Sequence, residues 1–223
     1  MPSKRGIRLA IFDLDGTLKA ARDPYTFVHE RVGTLAASQA ITPLGISGQI
    51  PYEEWLRRDV SLWKGLSRDF LQSLFRQNPY LPGAREVVRA LQDAGVTVAI
   101  VSSGLRLHAR MVAEDLGIPI AIGNEIGFEF NGREWVVDGR VRALCPYDGK
   151  GTVVAALQEE LGIPPEETLA VGDSRGDIPM FRRARVSVAV SPQHEEVARA
   201  ASRVIPEPTL FPLLDWLPHL LSS

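Results

Sequence analysis

Cysteine is nearly missing from this chain: Cys145 is the single one in 223 residues. An intramolecular disulfide framework is therefore excluded. Cys145 sits beside Pro146 with no positional partner, so it reads as a packing or loop residue and not a nucleophile. Long apolar runs are absent too, and none approaches the ~20 residues of a membrane span. The first apolar stretch follows the basic Met1-Pro2-Ser3-Lys4-Arg5 and is too short for a secretory core. Charge of one sign is also absent, since the net value is −2. No global basic field draws in nucleic acid or an anionic membrane. The four histidines, His29, His108, His194 and His219, show no metal-ligand spacing and are expected on exposed or helix faces. Together these absences predict a cytoplasmic protein without nucleic-acid or membrane partners. What remains is a chain with 45% hydrophobic residues. That is enough for one substantial core with a smaller inserted unit.

The informative segment is Asp13-Leu14-Asp15-Gly16-Thr17, directly after the apolar run Ile7–Phe12. A short apolar run ended by acid, acid and glycine reads as a buried parallel strand that delivers carboxylates to the rim of a sheet. Side chains alternate along an extended backbone, so Asp13 and Asp15 face one site while Leu14 points inward. Gly16 lets the chain turn away. Adjacent carboxylates repel, and the pair needs a cation, a proton or both. Two other apolar runs end in polar chemistry. Val96–Val101 leads into Ser102-Ser103-Gly104, and Leu169–Val171 leads into Gly172-Asp173-Ser174-Arg175-Gly176-Asp177. Between them Lys150-Gly151 precedes a helical pattern with Val153, Val154, Leu157 and Leu161.

Spacing gives the organisation. Strands are predicted over 7–12, 96–101, 118–123, 169–172 and 186–190, mostly with helical patterns between them. One helix opens at Pro82-Gly83 and closes at Gly95, and a second runs from about Leu105 to Leu116. Ser191-Pro192 is expected to start a third, with serine as N-cap. Strand alternating with helix predicts an α/β fold, a parallel sheet covered on both faces. Asn131-Gly132 and Asp138-Gly139 read as two hairpin turns in a small antiparallel excursion over 128–142. Residues 20–80 break the alternation with two long helical patterns, one placing Trp55, Leu56, Val60 and Trp63 near one stripe, the other capped by Ser67.

Four motifs in this order, from Asp13 to Asp177, resemble the haloacid dehalogenase superfamily and its phosphatase branch. The resemblance implies a three-layer Rossmann-like core over 1–19 and 81–223. It makes residues 20–80 an inserted helical cap, whose length and Leu56–Leu66 segment resemble the phosphoserine phosphatase subfamily. It makes Asp13 the nucleophile that forms an aspartyl-phosphate. It makes Asp15 the general acid and then the base, a residue that the halide-releasing members do not need. It implies Mg²⁺ held by Asp13, Asp173 and the backbone carbonyl of Asp15. Ser102 and Lys150 are then the phosphate-binding residues. Asp177 is implied to reach the metal through water or to orient Lys150. Ser103 stands where the family usually has glycine and offers an extra hydroxyl near the phosphate. Thr17 matches a position beside the phosphate that equally caps the turn. The implied partner is a small phosphomonoester. A phosphomutase or phosphotransferase of the same superfamily is the alternative.

Two charges depart from that subfamily. Its cap glutamate, nine positions after the nucleophile, corresponds here to Arg22. Its cap arginine corresponds to Asp59. Either Arg22 receives an anionic part of a substrate directly, or Arg22 and Asp59 pair with each other at the cap hinge.

Overall fold

The computed structural model describes residues 6–222, so the basic Lys4 and Arg5 at the N-terminus lie outside the described residues. The core is built on a seven-stranded sheet in the order β4-β3-β2-β1-β5-β6-β7. The strands are β1 (Leu9–Phe12), β2 (Thr97–Leu105), β3 (Ile120–Phe130), β4 (Trp135–Arg142), β5 (Thr168–Gly172), β6 (Val186–Val190) and β7 (Arg203–Ile205). All neighbouring strands run parallel except the β3–β4 pair. β1 is therefore central, with β2 on one side and β5 on the other.

The alternation along β1 sets up the three layers. Ala10 and Phe12 join an apolar cluster with helices α5 (Ala84–Asp93) and α10 (Phe211–Leu221). Leu9 and Ile11 join the opposite cluster, with α7 (Lys150–Leu161), α8 (Ile178–Phe181) and α9 (Glu195–Ala200). The inner strands β1, β2, β5 and β6 are thus apolar on both faces, as a sheet covered by helices on both sides demands. No helix among the described residues is long and apolar enough to cross a membrane.

Between β1 and α5 lie four helices where the periodicity showed two long patterns: α1 (Pro24–Val32), α2 (Leu35–Ile46), α3 (Tyr52–Ser61) and α4 (Arg68–Gln77). They have their own apolar cluster, in which Phe27, Leu56, Val60, Trp63, Leu71 and Phe75 meet Leu105 and Val137 from the sheet. Asp23 caps α1, accepting from the backbone of Tyr25 and Thr26, and Ser67 caps α4 through Phe70 N–H.

The antiparallel excursion expected over 128–142 is present as the β3–β4 hairpin, built as an extension of the main sheet. β3 continues straight from its parallel pairing with β2 into antiparallel pairing with β4, and β4 reaches the helical insertion. Val137 exchanges backbone bonds with Gly65 and Leu66 there. Asn131-Gly132 makes the turn, with the Asn131 carboxamide accepting from the backbone of Arg133 and Glu134. Asp138-Gly139 makes none: it lies inside β4, where the register shifts opposite Ile126–Phe128. Gly139 has φ 88° there, a bulge that only glycine adopts without strain. Ser191-Pro192 is also different from the expectation, because α9 begins only at Glu195 after His194. Ser191 instead takes φ 40°, an unusual value for a residue with a side chain.

Candidate active site

The topology brings the motifs together before any side chain is considered. Asp13 follows β1, Ser102 lies on β2, and Asp173 follows β5; these are three adjacent strands. Lys150 is the first residue of α7, which starts at the same edge. The backbone of Asp13 still donates to Val171, so the ladder holds it in register with β5. Leu14 is fully buried in the core while Asp13 and Asp15 point out of the strand end.

Asp13, Asp173 and Asp177 each offer an oxygen within 4.8 Å of the others, and all three are buried. One buried cation answers two of them. Lys150 Nζ donates to Asp13 Oδ1 and to Asp177 Oδ1, each at 2.5 Å. The other oxygen of Asp177 accepts from the backbone of Asp173 and Ser174 and from the Ser174 hydroxyl. Asp177 therefore fixes both the lysine and the loop. Asp173 Oδ2 accepts from Gln193 Nε2 at 2.8 Å, and its Oδ1 is buried without a hydrogen-bond partner. Gly16, at φ 91°, is what lets the turn pass so close. A Cβ there would lie 2.4 Å from Asp173 Oδ2.

Charge in this pocket is out of balance, and the titrations follow. Burial pushes the Asp13 carboxyl well up; Lys150 pulls it down, and Asp177, Asp173 and Asp15 push it further up. Burial first and then Asp177 push Asp173 up to about 7. Burial alone would depress the Lys150 ammonium, but Asp13 and Asp177 hold it above the ordinary lysine value. Three hard oxygen donors that repel one another, one of them with a free buried oxygen, fit a small divalent cation such as Mg²⁺.

Asp15 stands beside this cluster. Its Oδ2 lies 3.4 Å from the Ser102 hydroxyl, and Ser102 Oγ itself accepts from Gly104 N–H at 2.8 Å. Its Oδ1 lies 3.1 Å from His108 Nδ1. Thr17 is fully buried, with its hydroxyl unpartnered and its backbone bonded into the turn through Leu14 O.

Arg22 and Asp59 do not meet. Arg22 donates to the carbonyl and the hydroxyl of Ser191, and its NH1 lies 3.7 Å from Asp173 Oδ2. Asp59 is buried inside the helical insertion, accepting from the Ser38 hydroxyl at 2.8 Å with His29 Nε2 at 3.5 Å. The reason is helical phase. Asp59 shares the inward face of α3 with Leu56 and Val60, so it cannot reach outward to Arg22.

Some residues here had no sequence signal strong enough to single them out. The carbonyl of Ser103 collects the Tyr25 hydroxyl at 3.3 Å, the Tyr52 hydroxyl at 3.1 Å and Asn124 Nδ2 at 2.7 Å. Two tyrosines of the helical insertion are thereby pinned to the sheet edge. Burial pushes Tyr25 well up and Tyr52 up to about 12, so both remain neutral donors. Gln193 and His108 belong to the same group. His29 and His108, expected on exposed or helix faces, are both buried. Cys145 is buried as well, and burial raises its thiol to about 11, which leaves it inert.

Comparison with known proteins agrees with this arrangement. The family model of haloacid dehalogenase-like hydrolases matches residues 10–182. The chain is similar to a phosphoserine phosphatase of Archaeoglobus fulgidus, 34% identical over 183 residues, which cover 82% of this chain and 52% of that protein. It is also similar to a phosphoserine phosphatase of Methanocaldococcus jannaschii, 29% identical over 182 residues, covering 82% of this chain and 84% of that one. The chain thus spans about half the length of the Archaeoglobus relative. A solved structure described as a phospho-aspartyl intermediate analogue of phosphoserine phosphatase superposes with a TM-score of 0.78. Its identity is 26%, over 96% of this chain and all of that one. The matched family model runs from β1 through the Asp173–Asp177 loop, and the chain belongs to the haloacid dehalogenase-like hydrolases.

Proposed function

We propose that this chain is a Mg²⁺-dependent phosphomonoester hydrolase that acts on a small metabolite through an aspartyl-phosphate on Asp13. The observation that carries the reading is the buried Lys150 shared between Asp13 and Asp177 beside an oxygen of Asp173 that has no partner. Asp13 and Asp173, with the backbone carbonyl of Asp15, are the residues that would hold the ion. When bound, it supplies positive charge against the phosphoryl oxygens and the two carboxylates.

The protein's own groups do the rest. Lys150 orients Asp13, works against the upward push of burial on its carboxyl, and presents a fixed cation to the phosphoryl group. Ser102, with Ser103 beside it, offers hydroxyls to the same oxygens. The Asp13 oxygen attacks phosphorus while the bond to the leaving oxygen breaks. Asp15 gives its proton to that leaving oxygen, then takes one from the water that attacks the aspartyl-phosphate. The four-helix insertion over 20–80 acts as the cap that excludes bulk water. Thr17 holds the turn between Asp13 and the cap.

Relatives named phosphoserine phosphatases make O-phosphoserine the first substrate to try. Arg22 argues for testing beyond it, because it places a cation where that subfamily has an acid. A lost charged contact to a second substrate anion costs about 1.5–3 kcal/mol. The test is phosphate release from a panel of small phosphomonoesters, with O-phosphoserine and p-nitrophenyl phosphate included, in Mg²⁺ and in EDTA. Release that depends on Mg²⁺ is expected. Equal release in EDTA, or transfer of phosphate to an alcohol without free phosphate, would overturn the reading.

A further inference from the structure

His108 is the third residue of α6 (Arg106–Leu116), and its ring is 1% exposed. Phe75 of α4 stacks on it at 4.4 Å between centroids and 11° between planes. Its Nδ1 lies 3.1 Å from Asp15 Oδ1, but neither of these atoms, nor Nε2, has a hydrogen-bond partner in this geometry. The contrast with His29 is useful. There Nδ1 is engaged by the Thr34 hydroxyl at 2.7 Å and by the Trp63 indole N–H at 3.0 Å, and only Nε2, 3.5 Å from Asp59, is left without a hydrogen bond. The His108 ring has only Asp15 to serve.

The two oxygens of Asp15 are thereby made unequal. Oδ1 faces the imidazole, and Oδ2 faces Gly104 and the hydroxyl of Ser102, the proposed phosphate-binding residue. A carboxylic acid carries its proton on one oxygen. An N–H donor held against Oδ1 leaves Oδ2 as the only place for that proton.

We infer that His108 is a positioning residue for Asp15: its Nδ1, already 3.1 Å from Oδ1, takes that oxygen as substrate seats and fixes the transferable proton on Oδ2 for the leaving oxygen to collect. This rests on the proposed role of Asp15 as general acid. His108 itself passes no proton to the substrate. In the step it serves, the bond from phosphorus to the leaving oxygen breaks as the bond from Asp13 to phosphorus forms. The proton passes from Asp15 Oδ2 to the leaving oxygen. The device also ties chemistry to the cap, since Phe75, which holds the ring flat, belongs to α4.

The test compares leaving groups. p-Nitrophenolate departs without a proton, whereas an alkoxide needs one. The value kcat/KM reports only the steps up to leaving-group departure, so the later hydrolysis of the intermediate does not confuse it. His108→Leu is expected to lower kcat/KM for O-phosphoserine, or for the alkyl phosphomonoester turned over fastest, by about 10- to 100-fold. It should change kcat/KM for p-nitrophenyl phosphate by less than about threefold. His108→Asn places an amide N–H where Nδ1 was and should restore most of the loss. His108→Gln places it where Nε2 was and should not. The His108 ring lines an existing cavity of about 620 Å³ between α4 and α6, so shortening it enlarges a space already present. If the leucine variant does not fold, the Asn/Gln pair decides alone. Asp15→Asn, measured beside them, should show the same selectivity for leaving group. If Asp15→Asn slows both substrates equally, the acid role itself fails. If Asp15→Asn is selective but the leucine variant slows both substrates equally, or Asn rescues no better than Gln, the positioning role of His108 fails alone.

Discussion

At the carboxyl end of the sheet two of three clustered buried aspartates share one buried lysine; inside the helical insertion one buried aspartate is met by a serine hydroxyl and lies near a histidine. Both clusters sit in low dielectric, where an unpaired charge is costly. The cluster in the helical insertion settles most of that cost locally, with only His29 Nε2 left without a hydrogen bond, 3.5 Å from Asp59. Asp59 has Ser38 and His29, and His29 has Thr34 and Trp63. The sheet-end cluster leaves it standing, with two carboxyls pushed up and one oxygen of Asp173 unanswered. Burial of charge alone is thus no mark of a site. A buried cluster whose own residues fail to balance it is a better one, because the missing partner has to come from outside.

The comparison breaks most visibly at the nucleophile. Asp13→Asn keeps the shape, removes a ligand oxygen and abolishes the attacking charge. A loss of at least ~10⁴-fold in kcat is expected. A variant that retained a tenth of wild-type turnover in the phosphate-release assay would falsify the assignment. Lys150→Met comes next. It leaves Asp13 and Asp177 buried without their shared cation. Removing one partner of a buried ion pair costs about 3–5 kcal/mol. Denaturant unfolding of the metal-free variant should show that loss, and Mg²⁺ should return part of it. No change in the unfolding midpoint would mean that the lysine is not what holds the cluster together.

The strand-end chemistry could be read from the chain because each motif residue follows a continuous apolar run, and a buried parallel strand has one end on which to place it. The longer-range facts had no such signal. β7 is three residues, Arg203-Val204-Ile205, too short for any periodicity. Asp138-Gly139 supplies a positive φ whether the chain turns back or merely bulges, and only pairing with β3 decides which. Arg22 and Asp59 looked like a reversed pair because their sequence positions align with one. Yet the phase of α3, with Leu56 and Val60 inward, already placed Asp59 on the buried face. His108 carried a similar clue: it precedes Val112 by one turn on the buried face of α6. What no periodicity contains is the neighbour across the gap, Asp15 for His108 and Ser191 for Arg22.

A subtler break concerns pH. Asp173 titrates near 7 in the folded protein, because of burial and then Asp177, against 3.8 for the ordinary group. A raised carboxyl holds a proton that the unfolded chain has released, so the folded state binds more protons between about pH 4 and 7. Stability of the metal-free protein therefore falls as pH rises through that window, and the deficit is complete above it. Asp173→Asn removes the deficit. The metal-free variant should melt roughly 4–8 °C above wild type at pH 8, for a gain on the order of 2 kcal/mol in a chain of this size. The difference should vanish toward pH 4. The same variant should gain little from Mg²⁺, while wild type gains more at pH 8 than at pH 5. A variant less stable than wild type at pH 8 without metal would show that Asp173 is satisfied after all.

The smallest effect is expected at the balanced cluster, and it is the one that tests the comparison itself. Asp59→Asn keeps an acceptor for the Ser38 hydroxyl and removes the charge near His29. If the cap cluster is only structural, the cost is that of weakening one or two buried hydrogen bonds, about 1 kcal/mol. Thermal unfolding should register a drop of a few degrees. Because Asp59 faces the interior of α1–α4 and touches none of Asp13, Asp15, Ser102 or Lys150, kcat and KM for p-nitrophenyl phosphate should stay within about twofold of wild type, well under the 1.4 kcal/mol that a tenfold change represents. The double variant Asp59→Asn/Asp173→Asn should combine the loss of one with the gain of the other, since sites that share no partner add. A tenfold change in KM for an alkyl phosphomonoester in Asp59→Asn would contradict this. It would mean that the cap cluster reports to the substrate, and that its internal balance conceals a functional role.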